Sequence, residues 1–255
     1  MKYFVSADIH SYFVEWMSAL HSAGFDMNND EHCIIVCGDL FDRGDDSAKC
    51  LEFAKQLVAK NRFIYVRGNH EDLLNTCVQQ MLSGHVSNHH ISNGTVKTLA
   101  DIMDCSIYDV LSRSYSNEQR DLAEALLNFI NSNTIDYFEL GETVFVHGWV
   151  PTTYDENKTI IVHDNWRDGD WKQARWENGM EMYNFDITVP EKTIVCGHWH
   201  TSYGWSKLAN VGSEWGHDAC FNTFIQPGIV ALDGCVAYTC NVNVVVFDDN
   251  GKIIN

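Results

Sequence analysis

The chain has 255 residues, long enough for one large α/β core. Its 35 acidic against 17 basic side chains leave a formal net charge of −18, which excludes broad electrostatic adhesion to nucleic acid or anionic lipid. Nine cysteines without a CxxC pair, and no apolar run near the roughly 20 residues that span a bilayer, predict a reduced cytoplasmic protein with no leader and no membrane partner.

Five short apolar runs predict strands, and each ends in polar residues. YFVSAD ends in Asp8-Ile9-His10, and CIIVC ends in Gly38-Asp39. FIYVR runs into Gly68-Asn69-His70-Glu71, TVFV into His147-Gly148, and TIVC into Gly197-His198-Trp199-His200. Continuous apolar runs of this length suit strands buried on both faces. Between the first two, Phe13, Trp16, Met17 and Leu20 recur at helical spacing, with Gly24 as a stop. Leu51, Ala54 and Val58 repeat the pattern, as do Leu74, Cys77, Val78 and Met81 after Glu71. This β-α-β-α-β-α order predicts parallel strands with right-handed crossovers.

Residues 84–94 read as a polar loop. A further helix fits Leu122, Leu126, Phe129 and Ile130, opened by a capping box at Ser116 and Gln119. Residues 151–190, rich in charge and tryptophan with no clean period, read as an insertion of short helices and loops over the site. Its Trp166, Trp171 and Trp176 read as packing, with the border of the substrate cleft as the alternative. The tail runs GIVALD, VAYTC and VNVVVFD predict antiparallel strands that complete a second sheet. No repeat or linker interrupts the chain, so a single domain over 1–255 is expected.

In open α/β sheets, ligands bind beyond the carboxyl ends of the parallel strands. Collected there, Asp8, His10, Asp39, Asn69, His147, His198 and His200 form an array of oxygen and imidazole donors suited to Mn, Fe or Zn. Two divalent cations about 3.5–4 Å apart, bridged by one carboxylate, would use all seven. Asp39 at the end of a buried strand then faces cations, which removes the penalty of burying its charge. Taken singly, Asp8 and Asp39 would read as helix N-caps and each histidine as a satisfied core residue; their recurrence after five strands points to metal. His85, His89, His90, His163 and His217 lie in loops without a spacing partner and receive no role.

DIH, GDLFDRG, GNHE, VHG and GHWH, in this order and spacing, resemble the motifs of the calcineurin-like metallophosphoesterases. GDxxDRG with GNHE is similar to the serine/threonine phosphoprotein phosphatase branch of bacteria and phage, and IVALDG at 229–234 resembles a late strand and turn of the family. The resemblance implies an α/β sandwich of two mixed β-sheets flanked by helices, in α-β-β-α layers. It implies one metal held by Asp8, His10, Asp39 and His200, and a second held by Asp39 as the bridge with Asn69, His147 and His198. It further implies a phosphate gripped by Arg43 and by an arginine of the insertion, Arg175 in ARWENG, with Arg167 in NWRDG the neighbouring choice. A water activated between the ions would attack phosphorus, His70 would protonate the leaving oxygen, and Asp42 would hold His70 by its other ring nitrogen.

The implied activity is hydrolysis of phosphate monoesters, with a phosphoprotein or small phosphoester as substrate. Symmetrical hydrolysis of dinucleoside tetraphosphates, or phosphodiester cleavage, is the alternative within the same chemistry; a non-catalytic metal-binding scaffold is the alternative outside it. Two departures stand out. Ser11 stands after DIH where the family has glycine, and GHWH offers a second histidine that is commoner in phosphodiesterase relatives.

Overall fold

In the computed structural model, which describes residues 1–254, the strands begin with β1 (Lys2–Ser6), β2 (His32–Cys37), β3 (Phe63–Val66), β4 (Thr134–Ile135), β5 (Phe138–Leu140) and β6 (Thr143–Phe145). They continue with β7 (Thr152–Tyr154), β8 (Ile160–Val162), β9 (Thr193–Cys196), β10 (Phe224–Gln226), β11 (Ile229–Ala231) and β12 (Val245–Phe247). In the first sheet β1, β2, β3 and β4 are parallel neighbours in that order, with β12 antiparallel on the outer side of β1. In the second, β11, β9 and β6 are parallel neighbours, edged by antiparallel β10 and β5.

Alternate side chains along each inner strand meet different apolar layers. Phe4, Ile34, Val36 and Tyr65 pack under α1 (Phe13–Ser22), α2 (Ser47–Val58) and α3 (Asn69–Ser83). That layer continues through α4 (Asn88–Ser92), α5 (Thr95–Ile102), α6 (Ile107–Ser112) and α7 (Asn117–Asn133), which add Leu99, Val110 and Ile130. The intervening Val5, Ile35, Cys37 and Val66 meet Phe145, Val195 and Val230 of the second sheet. On the far side, Val144, Ile194 and Ile229 lie under Trp149, Trp166, Trp171 and Met180. The layers are α-β-β-α, and a strand with no polar face is what this position requires. β2 is buried along its whole length.

Several local expectations are corrected. VAYTC forms a short helix, Val236–Thr239, flanked by left-handed Cys235 and Cys240. Its Thr239 hydroxyl bonds back to the Gly234 and Cys235 carbonyls, a local closure that outweighs β propensity. VNVVVFD supplies β12, which is antiparallel but joins the first sheet, with Tyr3 opposite Phe247. GIVALD supplies β11, parallel to β9 because the chain reverses first through β10. The 84–94 loop contains α4 and buries His90. The 151–190 insertion carries an antiparallel β7–β8 hairpin beside its short helices. The capping box opens α7, with Ser116 Oγ accepting from Gln119 N at 3.2 Å. Among the described residues no helix is long and apolar enough to cross a membrane.

Beyond β1, β2 and β9 the chain turns sharply, and Asp8, His10, Ser11, Asp39, Asp42, Arg43 and His198 all adopt left-handed backbone. Such conformations cost non-glycine residues roughly 1–3 kcal/mol each and gather where a site dictates geometry. Ser11, at φ 60°, sits where glycine is free of that strain. Its hydroxyl bonds Ser47 Oγ at 2.8 Å, and its carbonyl accepts from Asp46 N at 3.1 Å. Ser11→Gly is expected to leave the urea midpoint within about 1 kcal/mol of wild type, strain relief offsetting the lost bond. Ser11→Val is expected to cost about 2–3 kcal/mol, since a β-branched residue tolerates this region worst. A valine variant as stable as wild type would remove the constraint assigned to this turn.

Candidate active site

Glu71 ties the loops after β2 and β3 together. Its Oε2 accepts from Gly68 N at 2.7 Å and Asp39 N at 2.9 Å. Its Oε1 accepts from Leu40 N at 3.1 Å and the Tyr65 hydroxyl at 2.6 Å. Asp39 Oδ1 in turn accepts from His70 N at 3.0 Å. The loops after β1 and β9 join this frame through His10 N to Asp39 O at 3.0 Å, and through His198 N to Asp8 Oδ2 at 2.9 Å. The approach is too close for side chains: a Cβ on Gly197 would collide with Asp8 Oδ2, and one on Gly38 with the His147 ring.

Two sets of donor atoms result, His10, Asp39 and His70 in one and Asp39, His147 and His198 in the other, each within 4.8 Å of one another. Asp39 belongs to both. Asn69 adds its carbonyl oxygen, 2.8 Å from His147 Nε2 and 3.1 Å from His198 Nδ1. His147 donates Nδ1 to the Cys37 carbonyl at 2.8 Å, so a neutral ring turns the lone pair of Nε2 toward Asn69 and toward Asp39 Oδ1 at 3.4 Å. His10 likewise donates Nδ1 to the Phe41 carbonyl at 3.0 Å and presents Nε2 to Asp39 Oδ2 at 3.8 Å. Lone pairs facing oxygens repel unless a cation lies among them, so these residues fit divalent cations sharing Asp39.

The electrostatics agree. Burial pushes Asp8 well above the usual carboxylate range, and the charges of Asp233 and Asp39 push the same way. Burial lowers His10 well below its ordinary value and takes His147 and His198 down to about 4. The His10, His147 and His198 rings are therefore neutral donors at physiological pH.

Beside this centre, His70 Nδ1 donates to Asp42 Oδ2 at 2.7 Å, and Arg43 Nη2 donates to His70 Nε2 at 3.2 Å. Burial works against a charged His70, but Asp39 and the Asp42 bond outweigh it and raise the ring overall. Asp42 is itself held by hydroxyls of α5: Thr98 donates to Oδ1 at 2.7 Å and Thr95 to Oδ2 at 3.0 Å.

Other candidates are not brought to the centre. His200 places Nδ1 2.9 Å from Ser202 Oγ and Nε2 3.5 Å from Glu214 Oε1, and like Asp8 it lies outside both donor sets. Arg175 is buried and committed to Asp72 at 2.8 Å and to Asp136, which corrects its assignment to phosphate. A buried guanidinium needs such compensation, and both carboxylates lie far off in sequence. Arg167 forks onto Glu139 at 2.8 and 3.0 Å and lies over the Trp166 ring.

Sequence reasoning passed over Glu71, Thr95, Thr98 and Asp233. Asp233 follows β11, accepts from Cys235 N at 2.7 Å, and is raised to about 6 by burial. Its signal was the IVALDG run, a sixth strand ending in a carboxylate.

A sandwich of two mixed sheets whose strand-end loops present two donor sets around one shared carboxylate defines a metallophosphoesterase. The chain belongs to the calcineurin-like phosphoesterase family, whose sequence pattern matches residues 1–228. It is 35% identical over 80 residues to the asymmetrical bis(5'-nucleosyl)-tetraphosphatase PrpE of Anoxybacillus flavithermus; the match covers 29% of this chain and 33% of that protein. The crystal structure of a cold-active protein tyrosine phosphatase superposes with a TM-score of 0.51 at 13% identity, over 99% of this chain and 77% of that one. A metallophosphoesterase from Sphaerobacter thermophilus gives a TM-score of 0.48 at 15% identity, over 98% and 84% of the respective chains. At these identities the structural likeness concerns the fold alone.

Because Asp233 is raised when folded, the stability it contributes to the metal-free protein is complete below about pH 4 and is lost as the pH rises through about 6. Asp233→Asn is therefore expected to gain on wild type across that window, in urea midpoints measured with chelator. A difference between the two proteins that does not vary with pH would remove the charge crowding assigned to Asp233.

Proposed function

We propose that the chain is a dinuclear-metal-dependent hydrolase of phosphate monoesters that works as serine/threonine protein phosphatases do. The observation that carries this reading is the sharing of Asp39 between two donor sets, with His70 standing in the first of them and Arg43 bonded to it. Following the family resemblance, Asp8, His10 and Asp39 would hold one cation, with His70 kept as the proton donor beside it; Asp39, Asn69, His147 and His198 would hold the other. Manganese, iron and zinc suit this mixture of oxygen and imidazole. When bound, the two cations supply Lewis-acid stabilisation of the phosphoryl oxygens and an activated water.

The chain's own residues do the rest. Arg43, exposed at the rim, grips the phosphate with its guanidinium fork. Drawing that fork onto phosphate removes the donor from His70 Nε2 and leaves it able to carry a proton. Asp42, oriented by Thr95 and Thr98, holds the opposite nitrogen and stabilises the charged ring. His70 then gives its proton to the leaving oxygen. A second reading, hydrolysis of dinucleoside tetraphosphates, is favoured by the similarity to a bis(5'-nucleosyl)-tetraphosphatase.

The test is turnover by chelator-treated protein reloaded with manganese, iron or zinc. The substrates are an aryl phosphate, a bis-aryl phosphodiester, a phosphoserine peptide and diadenosine tetraphosphate. Metal-dependent cleavage of the monoester and the peptide is expected. Preference for diadenosine tetraphosphate would install the second reading, and no turnover with any metal would overturn both. His70→Ala is expected to lower kcat by about 10²–10⁴-fold while metal content stays near wild type. Loss of metal in that variant would make His70 a ligand instead of a proton donor.

A further inference from the structure

Of the chain's eight tryptophans, the exposed ones are Trp176, Trp199 and Trp215, at 50%, 39% and 51%. All three belong to one chain of rings that starts at the second donor set. The rings of Trp176 and Trp199 lie 5.9 and 6.2 Å from that of His198. Trp199 adjoins His200 at 5.7 Å, and His200 adjoins Trp215 at 4.4 Å. Trp215 in turn meets Phe221 at 6.0 Å and Tyr238, itself 59% exposed, at 5.7 Å. Tyr238 stands on the short helix Val236–Thr239 that follows the Asp233 turn.

The segment carrying Trp215 has no regular structure, yet it is fastened at several points. Ser202 Oγ donates to Glu214 O at 2.7 Å, Ser213 Oγ to Trp215 O at 2.7 Å, and Asn243 Nδ2 to Phe221 O at 2.8 Å. Glu214 lies between His200 and Lys207. Large aromatic side chains held rigidly in water, in a patch continuous with a catalytic centre, mark a surface for a ligand. Rings fixed in this way offer flat faces at little further entropic cost, which favours a planar occupant over an aliphatic one.

We infer that Trp199 and Trp215, with Tyr238 standing edge-on to Trp215, form a binding surface for a planar aromatic group, an aryl ring or a nucleobase, carried by the phosphoester. This rests on the hydrolase reading above and narrows its substrate. His200, placed outside both donor sets, then serves as the ring that joins Trp215 to Trp199.

The test compares manganese-loaded wild type, Trp215→Ala, Trp215→Phe and Tyr238→Ala, each checked for a native urea midpoint. Rates are measured on p-nitrophenyl phosphate, diadenosine tetraphosphate, β-glycerophosphate and a phosphoserine peptide. The ratio of kcat/KM on ring-bearing over ring-free substrates is expected to fall about tenfold in Trp215→Ala, the scale of one stacking contact, and by less in Tyr238→Ala, whose ring meets Trp215 at its edge. Trp215→Phe is expected to keep most of it. The substrate whose ratio falls further, aryl or nucleotide, identifies the ring. In parallel, calorimetry compares adenosine 5'-(β,γ-imido)triphosphate with imidodiphosphate. Wild type is expected to favour the former by about tenfold, and Trp215→Ala to lose the preference. Ratios unchanged within twofold together with no binding preference would overturn the binding surface while leaving hydrolysis intact. A binding preference without turnover of any substrate would overturn hydrolysis and retain the binding surface.

Discussion

Asp8 and Asp39 lie buried in one another's field, with Asp233 adding a third charge behind them. Buried carboxylates are among the costliest features a fold can hold, and here the His147 and His198 rings are neutral and bring no countercharge. Much of the surrounding architecture serves to hold this crowding in place. Left-handed turns deliver Asp8, Asp39 and His198 to the centre, and glycines at 38 and 197 allow the backbone to come close enough. Four donors converge on Glu71 so that the turn after β2 and the loop after β3 keep one relative position.

The two halves of the sandwich contribute differently. The first sheet supplies Asp8, His10, Asp39 and Asn69 from parallel strands packed under helices, and α5 reaches over to orient Asp42. The second sheet supplies His147 and His198, and its outer layer is the tryptophan-rich insertion. Arg175 joins those halves. Its guanidinium spans from the insertion to Asp72 on the first turn of α3, one turn beyond Asn69, and to Asp136. The neighbouring carbonyl of Ala174 accepts from Trp149 N at 2.9 Å, which sets the loop that carries His147. An arginine expected to touch phosphate thus bears on the donors from behind.

Composition and pattern were sufficient for the layers, because strands buried on both faces leave continuous apolar runs and amphipathic helices leave a 3.6-residue period. They were sufficient to gather His10, Asp39, Asn69, His147 and His198 at one centre, because a polar residue at the end of an apolar strand has few other reasons to recur; that His70 stands in the first donor set and Asp8 in neither was left to the fold. What the tertiary structure decided was which groups face which. The partners of Arg175 and Arg167 are acidic side chains distant along the chain, and Glu214 reaches His200 from an irregular segment. VAYTC and VNVVVFD have similar β propensity, yet one coils into a helix and the other edges the first sheet, since local hydrogen bonds and the neighbouring strand choose between them. Periodicity reports how a side chain is divided between core and solvent; it carries no information about the direction of a charge or a ring, which only the folded chain supplies.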